Sequence, residues 1–104
     1  MEKYTNGNMV AVLYSRGFGA GWSTWNQEHN EEMMYDKDIV QLYLDDAGQD
    51  TILTLAESKW PNACLSGIDG LCIEWIAEGE EFIIKEYDGH ESVVYKDRMP
   101  WNKA

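Results

Sequence analysis

The order of apolar and polar residues divides the chain into stretches with different periods. Met9 to Tyr14, MVAVLY, is the longest unbroken apolar run, and the glycines of SRGFGAGW follow it directly. A run so rich in β-formers predicts a buried strand that ends in a flexible turn. From Asp36, the residues Ile39, Leu42 and Tyr43 make one apolar face. A helix is predicted there, with Asp36 or Asp38 capping the orphan N–H groups and Gly48 as its C-terminal cap. A second helix follows, with Asp50 as N-cap and Ile52, Leu53, Leu55, Ala56 and Trp60 as apolar positions. Pro61 stops it, because proline lacks the N–H that continuation requires.

The C-terminal half alternates. Two-residue turns at Glu78-Gly79 and Asp88-Gly89 set the register of three antiparallel strands. Counting outward from them pairs Trp75 with Phe82, Ile73 with Ile84, Ile84 with Val93 and Phe82 with Tyr95. Leu71, Ile73, Trp75, Phe82, Ile84, Val93 and Tyr95 then share one face, predicted to be the core face. The opposite face carries Cys72, Glu74, Ile76, Glu81, Ile83, Lys85, Ser92 and Val94, a mixed set suited to water or a partner. The fold class expected is α+β: an antiparallel sheet of about four strands with two helices packed on one face.

Composition narrows the function classes. The 104 residues hold 8 basic and 19 acidic side chains, a formal charge of −11, with 44% hydrophobic content. This describes one domain over residues 1–104, with the acidity spread across both halves. No apolar run approaches the ~20 residues of a membrane span, and MEKYTNGN lacks a signal-peptide pattern. A cytoplasmic chain with no membrane partner is expected. Basic residues are too few and scattered to neutralise a phosphate backbone, so direct nucleic-acid binding is not expected. Cys64 and Cys72 make no disulfide framework and no C-x-x-C pair, so free thiols are expected.

The candidate chemistry lies in GFGAGWST. Glycines after a strand let backbone N–H groups approach an anion. With glycines at 17, 19 and 21, however, Trp22 and Thr24 stand where the dinucleotide and P-loop fingerprints need glycine. Ser23 in GWSTW lacks the last glycine of a nucleophile elbow, Trp25 standing in its place. Two readings remain. In one, this is a tight turn with Phe18, Trp22 and Trp25 folded back on the core. In the other, Arg16, Gly17, Phe18, Gly19, Gly21 and Trp22 form a ligand loop that stacks a base and contacts its phosphates, sequestering a nucleotide signal. His29 with Glu32 and Asp36 could ligate a divalent cation, although a solvated acidic surface is the simpler reading. His90 reads as a surface hairpin residue. No nucleophile, base and orienter assemble into a catalytic set, so neither a catalytic residue, a metal nor a cofactor is expected.

The hairpin register also sets Glu86 directly opposite Glu91, where like charges destabilise and a cationic partner would relieve them. Glu86, Asp88 and Glu91, with Trp22 and Trp25, are the expected protein-binding residues, at an exposed hairpin end. A domain about 30 Å across spans duplex DNA bearing about eighteen charges. A charge of −11 is of that order though thinner, which permits competition for a basic groove.

The strings VAVLYSRGFGAGWSTWN, MMYDKDIVQLYL and CIEWIAEGEEFIIKEYDGHESV resemble a group of small proteins of tailed bacteriophages over most of the chain. GFGAGWSTWN and the EYDG turn are the most specific parts, and Arg16 stands where proline is expected in many relatives. The resemblance implies a non-enzymatic protein in the host cytoplasm that binds and inhibits a host defence or nucleic-acid-processing protein, of anti-CRISPR or anti-restriction type. The partner implied is a basic host protein, and an exposed strand ending at Tyr95 allows a homodimer.

Overall fold

The computed structural model describes residues 2–96. Strand β1 (Thr5–Asn6) turns back into β2 (Met9–Ser15). A loop and two short 3-10 turns lead to three helices, α1 (Asn30–Tyr35), α2 (Lys37–Leu44) and α3 (Gln49–Lys59). A 3-10 helix at Ser66–Gly70 precedes β3 (Leu71–Ala77), β4 (Phe82–Tyr87) and β5 (His90–Tyr95). The α+β class expected from the sequence is the class observed. The strands, however, form two antiparallel sheets, one of order β1-β2-β3 and one of β4-β5. No described helix is long and apolar enough to cross a membrane.

The ends of α2 and α3 have local causes. The Asp36 carboxylate accepts the Ile39 N–H at 2.9 Å, so Asp36 is the cap that starts α2. Its second oxygen lies 3.0 Å from Lys59 Nζ, tying the start of α2 to the end of α3. α2 ends earlier than Gly48. Asp46 adopts φ +56°, the Asp46 N–H bonds to Tyr43 O at 3.2 Å and the Ala47 N–H to Leu42 O at 3.0 Å, the paired bonds of a Schellman stop. Gly48 instead precedes α3 as its N-cap, with Asp50 in the first turn. The helix stops at Lys59, ahead of Pro61, as predicted.

The β4-β5 register is the predicted one, with Phe82 opposite Tyr95, Ile84 opposite Val93 and Glu86 opposite Glu91. The pairing of β3 with β4 is not formed. β3 pairs with β2 instead, Ala11 opposite Trp75 and Leu13 opposite Ile73. Residues Val12 and Leu13, on opposite faces of β2, are both fully buried, so that strand runs through the interior and takes a partner on each edge. The Glu78 N–H, which would begin a β3-β4 ladder, goes to Asn8 O at 2.7 Å and prolongs the β2-β3 pairing past the turn.

The predicted single core face is therefore divided. Ala11 and Leu13 face the helices and pack with Trp22, Met33, Ile39, Val40, Ile52, Ala56 and Trp60. Val10 and Val12 pair with Ile76 and Glu74 on the other side of the sheet. Phe82 shares a cleft with Val10, Val12 and Ile76 there, and the Tyr95 hydroxyl donates to Glu74. The β4-β5 hairpin thus closes the face the helices leave open, and Ile76, assigned from sequence to the face opposite the core and suited to water or a partner, is buried. Trp22 crosses Trp60 edge to face at 6.2 Å and donates its indole N–H to Met33 O at 2.7 Å. Trp75 is only half-buried, tilted against Tyr4 at 6.1 Å.

Truncating the fully enclosed indole leaves the larger cavity. Trp22→Ala is expected to cost about 3–5 kcal/mol in denaturant unfolding, and Trp75→Ala clearly less. Equal losses would mean that the helix side of β2 is not the main core.

Candidate functional site

The segment after β2 is held between the Ser66–Gly70 helix and the β4-β5 turn. On the first side, Ser15 Oγ donates to Gly67 O at 2.6 Å and the Arg16 N–H to Gly70 O at 2.8 Å. On the second, the Gly19 N–H donates to Asp88 O at 2.6 Å, and the His90 ring places Nδ1 2.7 Å from Arg16 O. Since a carbonyl only accepts, Nδ1 carries the hydrogen in that bond. Asn26 pins the far end of the loop, donating to Trp22 O and Cys64 O at 2.8 and 2.9 Å and accepting the Cys64 N–H at 2.7 Å.

At the centre lies Glu91, with none of its surface exposed. Its Oε1 accepts the Ser15 N–H at 2.8 Å. Its Oε2 accepts the Trp22 N–H at 2.7 Å, the Thr24 N–H at 3.1 Å and the Thr24 hydroxyl. All four partners donate, and a carboxylate is the side chain that can accept them all. The glycine loop does gather N–H groups around an anion, as its sequence suggests, and the anion is this chain's own. Gly21 shows the fit: a Cβ built there would stand 2.8 Å from Glu91 Oε2 and 2.7 Å from Thr24 Oγ1.

This overturns the placement of Glu91 and Trp22 on a binding surface, because both are buried. Inward-facing β5 positions sit over β2 and the loop, and the four donors compensate the buried carboxylate. It also removes the basis of the nucleotide loop. The N–H groups of Ser15, Arg16, Gly19, Trp22 and Thr24 are engaged within the chain, and Gly17 N lies 3.4 Å from Ser15 Oγ. The two carboxylates set opposite each other do not compete for one environment. Glu86 stays at the surface and accepts the Gly89 N–H at 2.7 Å and the Trp25 indole N–H at 3.0 Å. Those donors, the Gly89 N–H foremost, hold its pKa below the usual carboxylate value.

Around this buried anchor the surface is aromatic and acidic. Phe18 is 70% exposed and stacks on His90 at 4.9 Å and 15°, so it is not folded back on the core. Tyr87 is 78% exposed and Trp25 41%. Glu86 and Asp88 are exposed beside them, as is Arg16. Of the predicted binding residues, Glu86, Asp88 and Trp25 thus share one end of the molecule, and Tyr87 joins them unforeseen. The register itself signalled Glu91, since alternation from the Asp88-Gly89 turn puts it on the face of Val93 and Tyr95. Nothing in the sequence marked Ser15 and Thr24 as its partners.

The other candidates are used otherwise. His29 Nδ1 lies 3.6 Å from Glu32, whose other oxygen accepts the Trp60 indole N–H at 3.1 Å. Asp36 is spent on Lys59 and the Ile39 cap. Among the described residues no group of three or more His, Cys, Asp or Glu could hold a metal ion. Cys64 and Cys72 are free thiols. Compared with protein-family models, curated protein sequences and solved structures, the chain matches none.

Glu91→Gln replaces one acceptor oxygen by an NH2 donor that faces other donors, and is expected to cost about 3 kcal/mol or more, whereas Glu86→Gln at the surface should cost far less. Urea midpoints of the two variants measure the contrast. Gly19 has φ +91° and open space around it, so Gly19→Ala should lose about 1 kcal/mol. Gly21→Ala should lose more, because the Glu91 carboxylate must move. For Glu86 the folded pKa is depressed, so its bonds contribute above the unfolded value and are lost as pH falls through the folded one. The Trp25 indole N–H resonance should therefore titrate with a midpoint below ~4.3, the ordinary glutamate value. A midpoint at or above that value would show the Trp25–Glu86 bond to be absent in solution.

Proposed function

We propose that this protein is a non-enzymatic binding protein that docks a basic nucleic-acid-processing or defence protein of a host cell. The docking surface is the end built from Phe18, Trp25, Glu86, Tyr87 and Asp88. The observation that carries the reading is the outward presentation of Phe18 and Tyr87, beside two carboxylates, on backbone fixed from within by Glu91. Large exposed aromatics are unfavourable in water, and at interfaces they supply most of the binding energy. Holding them on a rigid base lowers the ordering cost of association. A chain charge of −11 adds long-range attraction to a basic surface. Among the described residues neither Glu86 nor Asp88 takes part in an ion pair, so both charges are available to a partner. The phage resemblance supports inhibition as the consequence of docking, by occupation of a groove that otherwise takes nucleic acid.

Affinity capture from bacterial lysate tests this, with Tyr87→Ala and Asp88→Lys beside the wild type at low and high salt. A basic partner should be retained by the wild type at low salt, lost steeply as ionic strength rises, and lost in both variants while their melting temperatures stay within about 2 °C of wild type. Capture that is indifferent to salt, or undiminished in both variants, would refute this surface and its electrostatics.

A further inference from the structure

The glycine loop is the sequence motif that a docking role for the tip leaves unused, and its chemistry is specific. We infer that the segment Ser15–Thr24 is a carboxylate-binding site in its own right, with Glu91 as its tethered ligand, and that a small free monocarboxylate takes the same donors when that side chain is removed. The donors come from two separated pieces of chain, Ser15 at the end of β2 and Trp22 with Thr24 seven and nine residues on. Both pieces are anchored by bonds that do not involve Glu91. Ser15 is held through its hydroxyl to Gly67 O at 2.6 Å, and the next residue through its N–H to Gly70 O. Trp22 is held by its buried indole on Met33 O and by Asn26 Nδ2 on its carbonyl. The donor set therefore survives loss of the glutamate, and unpaired buried N–H groups seek an acceptor.

Shape selects the ligand class. Glu91→Ala deletes Cγ, Cδ and both oxygens, which are the heavy atoms of acetate. One oxygen then meets the Ser15 N–H and the other meets Trp22 and Thr24, as in the intact chain. A tetrahedral phosphate is larger and would press on Gly21, where even a Cβ comes within 2.8 Å of the bound oxygen. The hairpin that delivers Glu91 shares no ladder with the three-stranded sheet, so the carboxylate is a principal tie between hairpin and body.

Thermal unfolding of full-length Glu91→Ala, Glu91→Gln and wild type, at neutral pH and fixed ionic strength in sodium chloride, acetate or phosphate, tests the inference. Acetate should raise the midpoint of Glu91→Ala by several degrees over chloride. The wild type and Glu91→Gln, whose sites are filled, should show no such preference, and phosphate should not reproduce the acetate effect in Glu91→Ala beyond the gain it gives wild type. If Glu91→Ala has no folded baseline in chloride, the same comparison is read as recovery of the folded circular dichroism signal on titration with acetate. No gain with acetate in either readout, or an equal gain in all three proteins, overturns the inference. So does a phosphate effect matching that of acetate. None of these outcomes bears on docking at the tip, which the capture experiment tests separately.

Discussion

A buried carboxylate is tolerable only when its oxygens are supplied with donors, and this requirement organises one end of the molecule. Glu91 draws the end of β2, the glycine loop and the first 3-10 turn toward one point. Because most of those donors are backbone N–H groups, the carboxylate joins stretches of backbone that are also held by bonds of their own. The space it needs explains why position 21 bears no side chain. The same arrangement lets a two-stranded hairpin, a unit of marginal stability alone, become part of the fold without pairing its strands to the main sheet.

The tip and the anchor are two sides of one construction. Glu86 and Glu91 face each other across the hairpin, a pairing that would repel if both were left to water or both were buried. One is instead drawn inward onto the loop. The other remains outside and fixes Trp25 and the Gly89 turn. Burial of the first positions the backbone under Phe18 and Asp88, through the Gly19–Asp88 bond. The aromatic side chains at this end are thereby oriented by polar contacts lying beneath them. The hydrophobic core proper, around Trp22 and Trp60, lies on the other face of the sheet.

Local signals in the sequence read well where one residue decides the outcome. Asp36 caps α2, Pro61 bars continuation of α3, and the Asp88-Gly89 turn sets the β4-β5 register. The errors arise where two segments compete for the same partner. The Glu78-Gly79 turn pointed to a β3-β4 ladder, but β2, apolar on both faces, is the stronger claimant on β3. Choosing between them requires knowing what covers each face, which is tertiary information. α1 was not foreseen, because Asn30–Tyr35 is short and gains its stability from packing Met33 into the core. At the site, glycines following a strand suggested N–H groups open to an anion, although their spacing matched neither phosphate-binding fingerprint. That the anion would be Glu91 was legible only as an acidic residue on an inward-facing strand position.

The bond between Ser15 and Glu91 joins residues 76 positions apart. During synthesis the loop after β2 leaves the ribosome long before the hairpin that completes it. Trp22 and Met33 can find each other early, being 11 residues apart, but the N–H groups of Trp22 and Thr24 have only water to bond until His90 and Glu91 emerge. Closing so long a loop carries a large entropic cost, and contacts of this separation slow folding. The end surface is therefore complete only once β5, the last strand described, has docked on the loop that follows β2.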